Sequence, residues 1–287
     1  MVEVTTLSKL SEISNANNKK KKRELDEEES DIDISSTDSE VEDTDSESGD
    51  DQEIVNIDFD FYNVNKDVDF HALKNLLRQL FGQTESNKIH LSSLVDLILD
   101  APATTTIKCD GNESDPYCFL TLLDYKENKS SDYVSYLKNK VDTKITTFFN
   151  TLDKSNKTLA LLLSERLINM PPEVVSPLFK ITLEDAYNNL GNDKHYDLYF
   201  IVSRKYEVNF DNDEDAGNNI KKLSSNKRTK PAYEIDYFHP EDQFIEKYAS
   251  VKYDSVPRKG IINSYNIIDH SNLVKAIEDF ENEVSKW

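Results

Sequence analysis

From Glu24 to Glu53 the chain carries sixteen carboxylates and eight Ser or Thr residues, and not one Lys or Arg. A stretch so poor in aromatic and branched apolar side chains cannot bury enough surface to offset the entropy of ordering it. No core can be built there, so residues 1–53 are expected to form a disordered tail and residues 54–287 one globular domain. That remainder holds 37 acids against 28 bases, and the net charge shrinks from −21 for the whole chain to −9.

Immediately before the acidic tract, Lys19, Lys20, Lys21, Lys22 and Arg23 form a cationic run of the kind that the acidic groove of an import receptor grips. Within the tract, Ser30, Ser35, Thr37, Ser39, Thr44 and Ser48 each have an acid three residues later, the spacing that acid-directed kinases prefer. Each phosphate would add about −1.5 to −2 charges. A simple solubilising tail is the plain alternative.

An acidic domain beneath an acidic tail repels phosphate backbones and anionic headgroups. Direct nucleic-acid and membrane binding are therefore disfavoured, and basic proteins are the expected partners. The longest obvious apolar run, "LALLL" at Leu159–Leu163, is far shorter than the roughly 18 residues of a membrane span. The opening "MVEVTTLSKLSEIS" has neither a cationic nor an apolar signal region, which predicts an intracellular chain. Cys109 and Cys118 are the only cysteines. They suit a reducing compartment as a buried thiol pair, and without metal-ligand spacing no metal site is expected.

In "IVNIDFDFYNV", Val55, Ile57, Phe59 and Phe61 alternate with Asn56, Asp58, Asp60 and Tyr62, which predicts a half-buried strand. Asp58 and Asp60 share its outer face, either as a solvated edge or as a site for a cationic partner. Asp69 is placed to cap a helix whose stripe is Phe70, Leu73, Leu76, Leu77, Leu80 and Phe81 and whose stop is Gly82. "LSSLVDLILD" and "DYVSYLKNKV" read as helices, and "TTTIKCD" and "YCFLTLLDY" as strands; Asp142–Asp153 fits either period. After the buried run at Leu159, Pro171 and Pro172 open a helix that ends at Gly191. "HYDLYFIVSRKYEV" is apolar on both faces in its first half, hence a central strand. A mobile loop is expected over 209–231, then strands at "AYEIDYF" and "GIINSYNII". A final helix after Asp269 places Leu273, Ile277, Phe280, Val284 and Trp287 on one face. The fold class is α/β, a single domain with a mixed central sheet covered by helices on both faces.

A pyrophosphate is held by successive backbone N–H groups in a Gly-rich turn at a helix start. Gly49, Gly82, Gly111, Gly191, Gly217 and Gly260 are too scattered to make one. Ser164, Glu165 and Arg166 are neighbours on an extended segment, so they alternate faces and cannot pair as nucleophile and base. His71, His90, His195, His239 and His270 are dispersed. No catalytic, cofactor-binding or metal-ligating residue is predicted.

The run "LLLSERLINMPPEVVSPLF", together with "DFDFYNVNKDVDFHALKNLLRQLFG", "YDLYFIVSRKYEV" and "YFHPEDQFIEKYASVKYD", resembles the BCCIP family of eukaryotic nuclear proteins. The resemblance spans most of residues 54–280. It implies a fold resembling the GCN5-related acetyltransferases without a working acetyl-coenzyme A pocket, hence a binding protein with no cofactor. It further implies a nuclear protein that shuttles with the cytoplasm through nuclear transport receptors. In fungal members it escorts a basic large-subunit ribosomal protein and supports nuclear export and 60S ribosome biogenesis; animal members are tied to cell-cycle and DNA-repair proteins. An acyltransferase-like enzyme and an acidic histone chaperone are the alternatives.

Overall fold

The apolar run at Leu159 becomes a strand whose alternate residues serve two different cores. Leu159, Leu161 and Leu163 join one cluster, and Ala160 and Leu162 join the other. The computed structural model in which this is seen describes residues 58–191, 194–209 and 233–287. The cationic run, the six tail hydroxyls, Val55, Ile57 and all of the 209–231 connection except Asn209 lie outside the described residues. The described residues belong to a unit spanning Val55–Trp287.

Its strands are β1 (Asp60–Asn63), β2 (Thr104–Lys108), β3 (Cys118–Asp124), β4 (Leu159–Arg166), β5 (Leu198–Asn209), β6 (Tyr233–Tyr237), β7 (Val251–Asp254) and β8 (Ile261–Asp269). They form one mixed sheet in the order β1-β2-β3-β4-β5-β8-β7, with β6 paired to the outer end of β5. Only β4 and β5 run parallel among the described strands. The helices are α1 (Phe70–Ser86), α2 (Leu91–Asp100), α3 (Asp132–Tyr136, continued by a π turn over Leu137–Val141) and α4 (Thr143–Leu152), then α5 (Val175–Leu190), α6 (Pro240–Tyr248) and α7 (His270–Val284).

Strand alternation decides which helices go where. Phe119, Leu161, Phe200 and Tyr265 face one side of the sheet and are covered by α1 to α4. Leu120, Leu162, Ile201 and Ile268 face the other and are covered by α5 to α7. The result is three layers, a single mixed α/β sheet between two layers of helices.

Several local expectations change on contact with tertiary structure. Asp69 does not cap α1 with its side chain. Its carboxylate instead takes the fully buried Lys108 ammonium at 2.6 Å and the Asn65 N–H at 2.8 Å, because an unpaired lysine at that depth would be far costlier than an uncapped helix end. Gly82 does interrupt α1 at φ 69°, but another turn follows to Ser86. Asp142–Asp153 resolves as α4, with the Asp142 carboxylate accepting from the Lys144 N–H at 2.7 Å. Trp287 leaves the α7 stripe: the helix ends at Val284, and the indole is 67 % exposed. Cys118 is buried and Cys109 partly so, and neither is bonded to the other.

The approach to β8 ends in a tight turn. Arg258 and Ile261 bridge, with Lys259 and Gly260 between them at φ 52° and 77°. Two positive φ values in succession define the hairpin turn that matches strand twist, where Asn or Gly is the unstrained first residue. Lysine there costs roughly 1–2 kcal/mol.

Candidate functional site

Pairing of β4 with β5 runs from Leu159↔Leu198 to Leu162↔Ile201 and then stops, although both strands continue. β4 stays with β3 as far as Arg166, and β5 turns with β8 and takes on β6. The two parallel strands therefore part at their carboxyl ends. In open α/β sheets that is the place where a crevice ordinarily receives a ligand.

Charged side chains occupy the gap. Glu165 points to the α1 side, where its carboxylate accepts from the Gln79 amide at 2.9 Å, from the Arg204 guanidinium at 3.1 Å and from its close partner His239. Arg166 points to the opposite side and donates to both oxygens of Glu241, at 3.1 Å from Nε and 3.0 Å from Nη2, and to the Met170 carbonyl at 2.9 Å. Glu165 is 1 % exposed and Arg166 4 %. The network thus threads the sheet at the point where the strands separate.

The charges balance. Burial alone would pull the Arg166 guanidinium down, but the bonds and charge of Glu241 outweigh it and hold it raised. Burial, then repulsion from Glu241 and Glu165, pushes the Asp242 carboxyl well above its usual range. Glu165 and Glu241 stand opposite Arg166 and Arg204, and burial beside them disfavours a further negative charge on Asp242. The free volume left among these side chains is about 20 Å³, room for about one water molecule. None of the four described glycines lines it.

The side chains singled out by sequence sit in different places. Glu165 and Arg166 do take opposite faces, and Ser164 lines the same gap. Asp58 and Asp60 are exposed, with Asp60 starting the edge strand β1 and accepting from Tyr62 Oη at 3.3 Å. His239 joins the network; His195 and His270 stack with ring centroids 3.8 Å apart. His71 packs edge-on to Phe70, and His90 meets Asp132 at 2.9 Å. Sequence reasoning missed Gln79, Arg204, Glu241 and Asp242. The one local sign was Pro240 followed by two acids, a helix start, which says nothing about burial. Among the described residues no group of three or more His, Cys, Asp or Glu could hold a metal ion, and no helix is long and apolar enough to cross a membrane.

This architecture has known relatives. The chain is 61 % identical over 239 residues to Protein BCP1 of Saccharomyces cerevisiae, covering 82 % of this chain and 84 % of that one. It is 60 % identical over 238 residues to Protein BCP1 of Candida glabrata, covering 83 % and 84 %. The crystal structure of BCP1 from Saccharomyces cerevisiae superposes with a TM-score of 0.70 at 57 % identity, over 85 % of this chain and 96 % of that chain. A sequence model of BCCIP matches residues 54–245, so that with these relatives the chain belongs to the BCCIP family.

Proposed function

We propose that the chain is a non-enzymatic nuclear binding protein that escorts a basic large-subunit ribosomal protein and supports its transport and 60S assembly. The observation that carries the non-enzymatic half is the filled gap between β4 and β5. A cofactor with a pyrophosphate needs space and a turn of free N–H groups at the carboxyl ends of these strands. The chain puts Glu165, Arg166, Arg204, His239 and Glu241 there instead. On this reading the fold is an acetyltransferase-like one whose crevice has become structural.

The escort half is supported by family membership and by charge. A net of −21 creates a field that speeds encounter with cationic clients and disfavours nucleic acid. Shuttling would use the Lys19–Arg23 run and nuclear transport receptors. The tail is assigned to encounter and the folded unit to recognition, because long-range attraction is screened beyond about 8 Å at physiological salt.

Two measurements test this. Calorimetry with acetyl-coenzyme A is expected to give no binding heat; a low-micromolar dissociation constant would overturn the non-enzymatic reading. Surface kinetics against a purified basic large-subunit ribosomal protein should give a specific complex that survives deletion of residues 1–53, with slower association at low salt and nearly unchanged dissociation. Equal affinity for core histones would favour a histone chaperone instead. Loss of all binding in the truncated chain would place recognition in the tail.

A further inference from the structure

On the α1 face of the sheet, beside the β7–β8 connection, lies a cavity of about 540 Å³, within the range of ligand pockets. Its charge is the reverse of the chain's. Lys88, Lys140, Arg258 and Lys259 line it, and Glu85 is the only carboxylate among its lining residues. Glu85 is already engaged, by Lys88 at 2.6 Å, by Arg258 at 3.2 Å and by the Tyr136 hydroxyl at 2.8 Å. Lys140 and Lys259 take part in no ion pair among the described residues.

Two further features set this cavity apart. Lys259 is the only described residue other than glycine with a positive φ, so a cation is held at the mouth in a backbone position where Asn or Gly would be unstrained. The wall is apolar as well: Phe81 and Tyr265 are buried in it, while Val256 is 77 % and Ile261 39 % exposed at its rim. Beside it runs β7, which among the described residues ends the sheet and pairs only with β8, so that its outer backbone edge can accept an added strand.

We propose that this cleft docks an acidic peptide segment of a partner protein, in which aspartates or glutamates flank a large apolar anchor. Carboxylates would meet Lys140 and Lys259, and the anchor would cover Val256 and Ile261. Phosphate is the less fitting anion. Its usual reader is a free guanidinium fork, and the one arginine here is bound to Glu85. The apolar rim would also stay uncovered. Because the client of the escort reading is basic, this partner is a different one, and neither proposal depends on the other.

Fluorescence anisotropy on the full-length protein tests it, with a labelled peptide of glutamates and leucines around a central phenylalanine. Binding is expected to weaken about tenfold or more in Lys140→Glu/Lys259→Glu and in Val256→Asp, and to stay within about twofold in Lys157→Glu. Lys259→Asn separates recognition from folding, since it removes the cation while relieving the turn. Its melting temperature should rise while its affinity falls. Failure of the acidic peptide to bind, or unchanged affinity in the first two variants, overturns the proposal. So does tighter binding of a phosphoserine peptide without apolar residues, or of a short RNA, if the same variants abolish it, because the cleft would then be a phosphate site.

Discussion

Arg166 grips Glu241 through two parallel hydrogen bonds of 3.1 and 3.0 Å, across 75 positions of sequence and with neither side chain more than a tenth exposed. Desolvation cancels much of the Coulomb attraction in such a pair, so its net contribution is small while the cost of breaking it is large. The pair ties the end of β4 to α6, while the bond from Arg204 to Glu165 spans β5 and β4 across the gap.

Removing one partner should therefore be worse than removing both. Arg166→Met is expected to destabilise the fold by about 3–5 kcal/mol, because it strands a buried carboxylate. Arg166→Met with Glu241→Leu should recover most of that. Urea unfolding measures both, and a single variant as stable as its parent would deny the pair its role.

Asp242 gives a pH prediction of definite sign. Its carboxyl is raised in the folded state, first by burial and then by Glu241 and Glu165, so the folded chain keeps a proton that the unfolded chain has already released. Stability then falls as pH climbs from about 4, the ordinary carboxylate value, toward the raised one. Asp242→Asn should match the parent near pH 4 and exceed it by a growing margin above. Parallel stability curves for the two proteins would refute the assignment.

Along α7 the buried stripe and the chain end should respond very differently. Phe280 is fully buried, and Phe280→Ala is expected to cost about 3–5 kcal/mol. Trp287→Ala should stay within about 0.5 kcal/mol. Thermal melts of the two variants, compared side by side, check the difference.

If the proposed shuttling role holds, a fluorescent fusion accumulates in the nucleus, and replacing Lys19, Lys20, Lys21, Lys22 and Arg23 with glutamine should lower that accumulation. Undiminished accumulation would move the import role to the basic cluster at residues 221–230 or to carriage by a partner.

How much of this was legible in sequence depends on the reach of the interaction involved. Strands β4, β5 and β8 and helices α1 and α5 announce themselves because their apolar periodicity is local and long. Asp142–Asp153 was undecidable because its threonines favour strands on propensity. In the structure Thr147 and Thr151 bond back to the carbonyls four residues earlier, at 2.7 and 2.9 Å, and so sit in a helix. α6 and β7 carry no such signal: one is nine residues with three acids, the other four residues at a sheet edge. At the site, the alternation of Glu165 and Arg166 was readable from one strand. Their partners His239 and Glu241 lie 74 and 75 residues on, and no local pattern announces a contact at that distance.

The place of β8 has a consequence for synthesis. Among the described strands it is the last in chain order, yet it lies between β5 and β7 and pairs with β5 from Leu198↔Asp269 to Tyr206↔Ile261. A nascent chain that has reached β7 can assemble β1 to β5 but must hold the inner edge of β5 open, and β7 has no ladder to join. Such an edge is a template for other strands and a target for holding chaperones until Asp269 emerges. Closure of this sheet therefore waits on a strand that follows its neighbours β5 and β7 in chain order. Losing β8 costs the sheet two strands rather than one, because β7 has its ladder with β8 and would be left unpaired beside an open β5.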